Sequence, residues 1–204
     1  MKDYQAQALQ TLQEGQSPYD NAQHAGYGLM TEVGEILDTY KRHRFYKTPL
    51  DTKNLIEEVG DVLWYVSLGY HSLGLPLPAV PTEVRVEVDL VLTPIQELPL
   101  NKVLAKIAHH VGNFFSIVMM YDDTWLDEQL DYDLDKIYKY LDIYLRNELN
   151  STLEIAAAAN IEKLSKRYPE KMFSTDRALN RDTVHELSHI NPIEEGVTNE
   201  IPTA

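Results

Sequence analysis

The chain has 204 residues, enough for one sizeable core or for one domain with an insertion. A formal net charge of −14 excludes long contacts with a nucleic-acid polymer, which need clustered Lys and Arg. It leaves room for a single nucleotide held through cations on the protein's own acids. The absence of cysteine excludes disulfides and thiolate metal sites and fits a reducing compartment.

The apolar stretches read as too short and too interrupted to cross a bilayer, and Met1-Lys2-Asp3-Tyr4 lacks the basic-then-apolar layout of a signal peptide. The expectation is a cytoplasmic chain with no membrane partner and no nucleic-acid polymer as partner.

In chain order, the pattern predicts four to six helices. The first covers about 3–14, ended by Gly15 to Pro18. The second covers about 21–43, with Leu29, Val33, Ile36, Leu37 and Tyr40 at spacings of three and four. Residues 45–50 read as a loop containing Pro49. Asp51 or Thr52 is then the cap of a third helix, continuing to about residue 73, with Leu55, Val59, Val62, Leu63 and Val66 on its buried side. Pro76, Pro78 and Pro81 mark a linker. Strict alternation in Glu83-Val84-Arg85-Val86-Glu87-Val88-Asp89-Leu90 is a strand signal, giving a short β-hairpin near 83–93. Helical patterning returns over about 99–121, 134–149 and 151–167, where Tyr168-Pro169 stops it. The expected fold is mainly α, a single helical domain over 1–182 with an insertion at about 76–150. The remainder, 183–204, is expected to be a partly disordered tail.

One internal echo exists. His109-His110-Val111-Gly112-Asn113 can be laid on Glu57-Glu58-Val59-Gly60-Asp61, with His110 in place of Glu58 and Asn113 in place of Asp61. Two amphipathic helices sharing a Val-Gly account for it more simply than an ancient duplication does.

The most informative residues are two acid pairs, Glu32-Val33-Gly34-Glu35 and Glu58-Val59-Gly60-Asp61. Residues three apart share a helix face, so each pair points two carboxylates in one direction. The intervening 36–57 is sized for a helix–loop–helix turn. A helical glycine costs about 1 kcal/mol relative to alanine, and one adjoins the second acid of each pair. Close approach of a helix or a ligand is the simplest reason. Four like charges converging on one site need a partner, and a hard divalent cation such as magnesium prefers oxygen ligands and keeps positions for water and phosphate. Solvated faces of ordinary helices explain such spacing about as well.

Gly28-Leu29-Met30-Thr31-Glu32-Val33-Gly34-Glu35, followed by Glu57-Glu58-Val59-Gly60-Asp61-Val62-Leu63-Trp64-Tyr65, resembles the Glu-x-x-Glu, Glu-x-x-Asp signature of the MazG-like all-α nucleoside triphosphate pyrophosphohydrolases. That superfamily also contains the dimeric dUTPases. Asn160-Ile161-Glu162-Lys163-Leu164-Ser165-Lys166-Arg167-Tyr168-Pro169 is similar to the closing helix of such proteins, many of them encoded by phages. The matches cover about 20–73 and 151–182, less than half of the chain. The resemblance implies a helical bundle of that type. In it, Glu32, Glu35, Glu58 and Asp61 would hold Mg2+, with Mn2+ a possible substitute. Water would attack a (deoxy)nucleoside triphosphate at the α–β linkage, releasing monophosphate and pyrophosphate. Lys163, Arg167 and Asn160 would contact phosphates, and Tyr65 would lie beside the nucleotide. The aromatic residues Tyr27, Tyr40, Trp64 and Tyr65 would stack on any base. Relatives are often homo-oligomers, dimers or tetramers.

Two departures stand out. Many relatives place a further acid just before the first pair, where this chain has Thr31, so Glu35 and Glu57 are both candidate bases. The stretch at 76–150 is longer than the connection in compact relatives. It has three possible roles: completing a four-helix bundle, reshaping the base pocket, or forming an oligomer interface.

Two other readings compete. His185-Glu186-Leu187-Ser188-His189 spells the zinc-peptidase pattern His-Glu-x-x-His, but a polar tail follows it, leaving an upstream residue such as His109 or His110 as the other source of a third ligand. A non-enzymatic helical oligomer that binds nucleotides is the other, against which the four intact acids argue.

Overall fold

The computed structural model describes residues 1–80, 85–88, 91–94, 98–120, 127–170, 172 and 174. The chain is mainly helical. The described residues hold α1 (Lys2–Ala8), α2 (Pro18–Tyr46), α3 (Thr52–Ser72), α4 (Leu100–Met120), α5 (Asp127–Glu148) and α6 (Leu153–Arg167). Between α3 and α4, β1 (Arg85–Val88) pairs antiparallel with β2 (Val91–Pro94), Val88 opposite Val91. The tail at 183–204 and the His185 to His189 motif lie outside the described residues.

Local chemistry moves several helix ends away from the predicted ones. Helix α1 stops at Ala8 rather than near residue 14. The Ala8 carbonyl accepts from the Trp64 indole N–H at 3.0 Å and from the Thr11 hydroxyl at 2.8 Å, and Leu9–Thr11 tighten into a 3-10 turn. Helix α2 begins three residues earlier than predicted because Ser17 and Asp20 form a capping box and Pro18 pre-sets the first turn. It runs on to Tyr46, where Lys47 adopts φ 60° and ends it. The Asp51 side chain caps α3, accepting from the Asn54 N–H at 3.0 Å. Helix α5 starts at Asp127, not Leu134. Its acidic opening hid the pattern, but Leu130 is buried and Asp133 bonds to a buried histidine. Helix α6 takes Thr152 as cap.

Helices α2 to α5 form a four-helix bundle: α3 and α4 both pack on α2, and α5 packs on α4 and α3. The segment at 76–150 therefore completes the bundle within one chain. Helix α3 is the spine, with Leu55, Val59, Val62, Leu63, Val66 and Leu68 all buried. Helices α1 and α6 cover the side of α3 that the bundle leaves open. Burial of that many aliphatic side chains, at about 25 cal/mol per Å2 of apolar surface, is what drives the bundle together.

Helix α4 corrects the expectation about apolar stretches. It has 21 residues, and with a mean hydropathy of 1.3 over an 18-residue window it is long and apolar enough, by length and composition, to cross a membrane. Here it buries Val103, Ile107, Val111, Phe114 and Val118 and packs against α2 and α5. In the echo segment, His110 Nδ1 donates to Asp133 Oδ1 at 2.7 Å, and Gln129 donates to the other carboxylate oxygen at 3.1 Å. That position therefore serves core hydrogen bonding between α4 and α5.

Candidate metal and nucleotide site

Glu32 on α2 and Glu58 and Asp61 on α3 each offer a carboxylate oxygen within 4.8 Å of the others. The three come together because the helical period puts residues 58 and 61 on the α3 face that looks across to α2. All three are half-buried, and no other cluster of this kind occurs among the described residues. Glu35, one turn beyond Glu32, is exposed and stands outside the group. Thr31, where relatives carry an acid, donates its hydroxyl to the Gly28 carbonyl at 2.9 Å.

Crowding shows in the protonation of Glu58. Burial, then the negative charges of Asp61, Glu32 and Glu57, push its carboxyl up to about 8, with Lys163 opposing them. Without a cation the cluster thus holds a proton at neutral pH.

Lys163 stands on α6 almost fully buried, its ammonium 2.5 Å from Asp61 Oδ2 and 2.6 Å from Glu57 Oε1. Burial alone would lower its pKa, but the attraction of Asp61 and Glu57 outweighs that and raises it, so the side chain is charged. Glu57 Oε2 is buried without a hydrogen-bond partner. Asn160 is also buried, and its Nδ2 donates to Asp61 Oδ1 at 2.9 Å. Both oxygens of Asp61 therefore meet donors from α6. Asn160 and Lys163, which the resemblance assigned to phosphates, are bonded to the acids.

The α3–α6 contact that brings these donors in depends on Gly60. A Cβ there would lie 3.0 Å from the Ala156 carbonyl oxygen and 3.1 Å from Asn160 Cβ. Its counterpart Gly34 has nothing within 4 Å, so helix packing does not account for it.

Beside the acids lies a cavity of about 320 Å3. Glu32, Asp61 and Asn160 line one part of it; His24, Trp64, Tyr65, Leu164, Arg167 and Tyr168 line others, with Thr11 and Gln13 contributed by the segment after α1. Tyr65 lies flat against α2, where Gly28 admits it: a Cβ on Gly28 would sit 2.1 Å from the ring. Trp64 and Tyr65 meet edge to face at 4.9 Å, and the His24 ring lies within 5.7 Å of both. Burial lowers the pKa of His24, which favours its neutral form.

Of the four aromatic residues expected near a base, only Trp64 and Tyr65 line this cavity. Tyr27, largely exposed, meets Phe115 of α4 edge to face, and Tyr40 bonds to Tyr144 of α5. Sequence reading missed His24, Leu164 and Tyr168. His24 and Gly28 precede Glu32 by eight and four residues, and Leu164 and Tyr168 follow Asn160 by the same steps, so one helix face was the available signal. Thr11 and Gln13 had no such signal, being placed by the docking of α1.

Comparison with protein-family models, with curated proteins and with solved structures gives no match to this chain.

Proposed function

We propose that this chain is a magnesium-dependent nucleoside triphosphate pyrophosphohydrolase, cutting at the α–β linkage to give a monophosphate and pyrophosphate. The observation that carries the proposal is the convergence of Glu32, Glu58 and Asp61 within 4.8 Å at the edge of a cavity with aromatic walls and an arginine. The MazG-like sequence resemblance supplies the choice of reaction.

The donor set suits the ion. Three carboxylates form a hard, all-oxygen group of the kind magnesium prefers, and the elevated Glu58 marks an excess of negative charge that a divalent cation would relieve. When bound, magnesium supplies charge neutralisation for the triphosphate and for the transition state. Glu32, Glu58 and Asp61 would hold it, with exposed Glu35 within the same helical face as a fourth acid.

The chain's own groups do the rest. Trp64, Tyr65 and His24 offer apolar ring surface to a base, and a cavity of about 320 Å3 is at the small end for a ligand pocket. Arg167 lines the cavity wall, and its guanidinium would contact phosphate oxygens. Lys163 neutralises Glu57 and Asp61 from below the site. Of the two candidate bases, Glu57 is bound to the Lys163 ammonium and its second oxygen is buried without a partner, so the proposal takes Glu35. A homo-oligomer and a cytoplasmic setting belong to the same proposal through the resemblance alone.

Glu35→Gln and Asp61→Asn are each expected to abolish magnesium-dependent turnover while the helical circular-dichroism signal persists. Full activity in both variants would sink the mechanism.

A further inference from the structure

The hydrogen bonds around Asp61 continue one step further than the acids need. Tyr4 of α1 is buried, and its hydroxyl donates to Asn160 Oδ1 at 2.9 Å, while a longer approach of 3.4 Å leads to the Gly60 carbonyl. Asn160 in turn donates from Nδ2 to Asp61 Oδ1 at 2.9 Å. Chemistry fixes the sense of this chain. A carboxylate only accepts, so the amide must turn its NH2 towards Asp61, which leaves its carbonyl needing a donor. The phenol of Tyr4 is that donor.

We propose that Tyr4 is a positioning residue for divalent-cation binding: it locks the Asn160 amide, and Asn160 holds the Asp61 carboxylate in register with Glu32 and Glu58. The inference rests on the reading of the acidic group as a metal site. It extends that site to a residue 56 positions before Gly60, on a helix that carries none of the acids. The physical logic is that of outer partners around metal ligands, whose loss costs about 10–100-fold in affinity. A carboxylate free to rotate must be ordered again each time a cation binds, whereas one held at both oxygens is already placed.

The hydroxyl is separable from the fold. Helix α1 is fastened to α3 and to the segment after it by other bonds: Gln5 Nε2 donates to the Ser67 carbonyl at 3.1 Å, the Leu77 N–H donates to Gln5 Oε1 at 2.9 Å, and the Trp64 indole donates to the Ala8 carbonyl. Tyr4→Phe keeps the ring and all of these contacts.

The test is Mn2+ binding to the full chain without nucleotide, followed by electron paramagnetic resonance. Tyr4→Phe is expected to weaken Mn2+ about tenfold with its unfolding transition still cooperative. Asn160→Ala should weaken it at least as much, and adding Tyr4→Phe to Asn160→Ala should cost nothing more, because the phenol then has no amide to hold. Wild-type Mn2+ affinity in Tyr4→Phe would overturn the proposal. Independent, additive losses in the double variant would overturn the route through Asn160. A wild-type chain that binds no Mn2+ would overturn the metal-site reading itself, an outcome distinct from either.

Discussion

Glu58→Gln is expected to make the metal-free protein more stable and, at the same time, inactive. The sign follows from the elevated carboxyl. Folded Glu58 titrates near 8, above its ordinary value of 4.5, so the folded state binds the proton more tightly than the unfolded chain does. Its contribution is fully favourable below about pH 4.5 and fades as pH rises to about 8, where the charged form is held among Asp61, Glu32 and Glu57. Glutamine removes that penalty. At pH 8 the variant should gain about 1–3 kcal/mol, allowing for solvent softening the repulsion. At pH 4 the two proteins should unfold alike. Magnesium should raise the melting temperature of the wild type and leave the variant unmoved. Turnover should fall by about 10³-fold, corresponding to about 4 kcal/mol of lost transition-state stabilisation. Thermal scans at the two pH values, with and without magnesium, check all of this. A variant less stable than wild type at pH 8 would contradict the crowding described for the site.

Lys163→Met is expected to have the opposite effect on stability. The ammonium is the common partner of Glu57 and Asp61, and the three groups are almost enclosed. Removing one side of a buried ion pair leaves the other charges uncompensated, at a cost of about 3–5 kcal/mol. Methionine fills similar volume, so the loss reports charge and not a cavity. A divalent cation beside Asp61 can replace part of the missing charge. Millimolar magnesium should therefore recover some of the lost stability in Lys163→Met. Urea unfolding with and without magnesium measures both effects. A variant as stable as wild type would show that Glu57 and Asp61 are not held together by this lysine.

These two variants also show what was legible in the sequence. The period of three and four along α2 and α3 revealed the bundle helices, and the same period put each acid pair on one face, because both follow from helical geometry alone. Trp64 and Tyr65 were readable as neighbours of Asp61 for that reason. Partners on other helices were not readable. The turn of Lys163 into the acids depends on how closely α6 approaches α3 at Gly60, and no local pattern encodes that distance. The separation of Glu35 from the other three acids was equally hidden, since spacing alone treats residues 32 and 35 as equivalent. The early start of α5 was concealed because Asp131 and Asp133 interrupt an apolar pattern, although Asp133 is buried against His110. Tyr4 looked like an ordinary aromatic residue of a short first helix until its hydroxyl was seen to end on Asn160.

The pyrophosphohydrolase proposal stands or falls most directly on its products. Canonical and modified ribo- and deoxyribonucleoside triphosphates should be incubated with the full chain, with and without magnesium, and pyrophosphate and orthophosphate measured separately. Pyrophosphate released in step with nucleoside monophosphate, only when magnesium is present, is the result expected for at least one of them. Orthophosphate alone, which moves the cut away from the α–β linkage, or binding of triphosphates with no turnover, would contradict it.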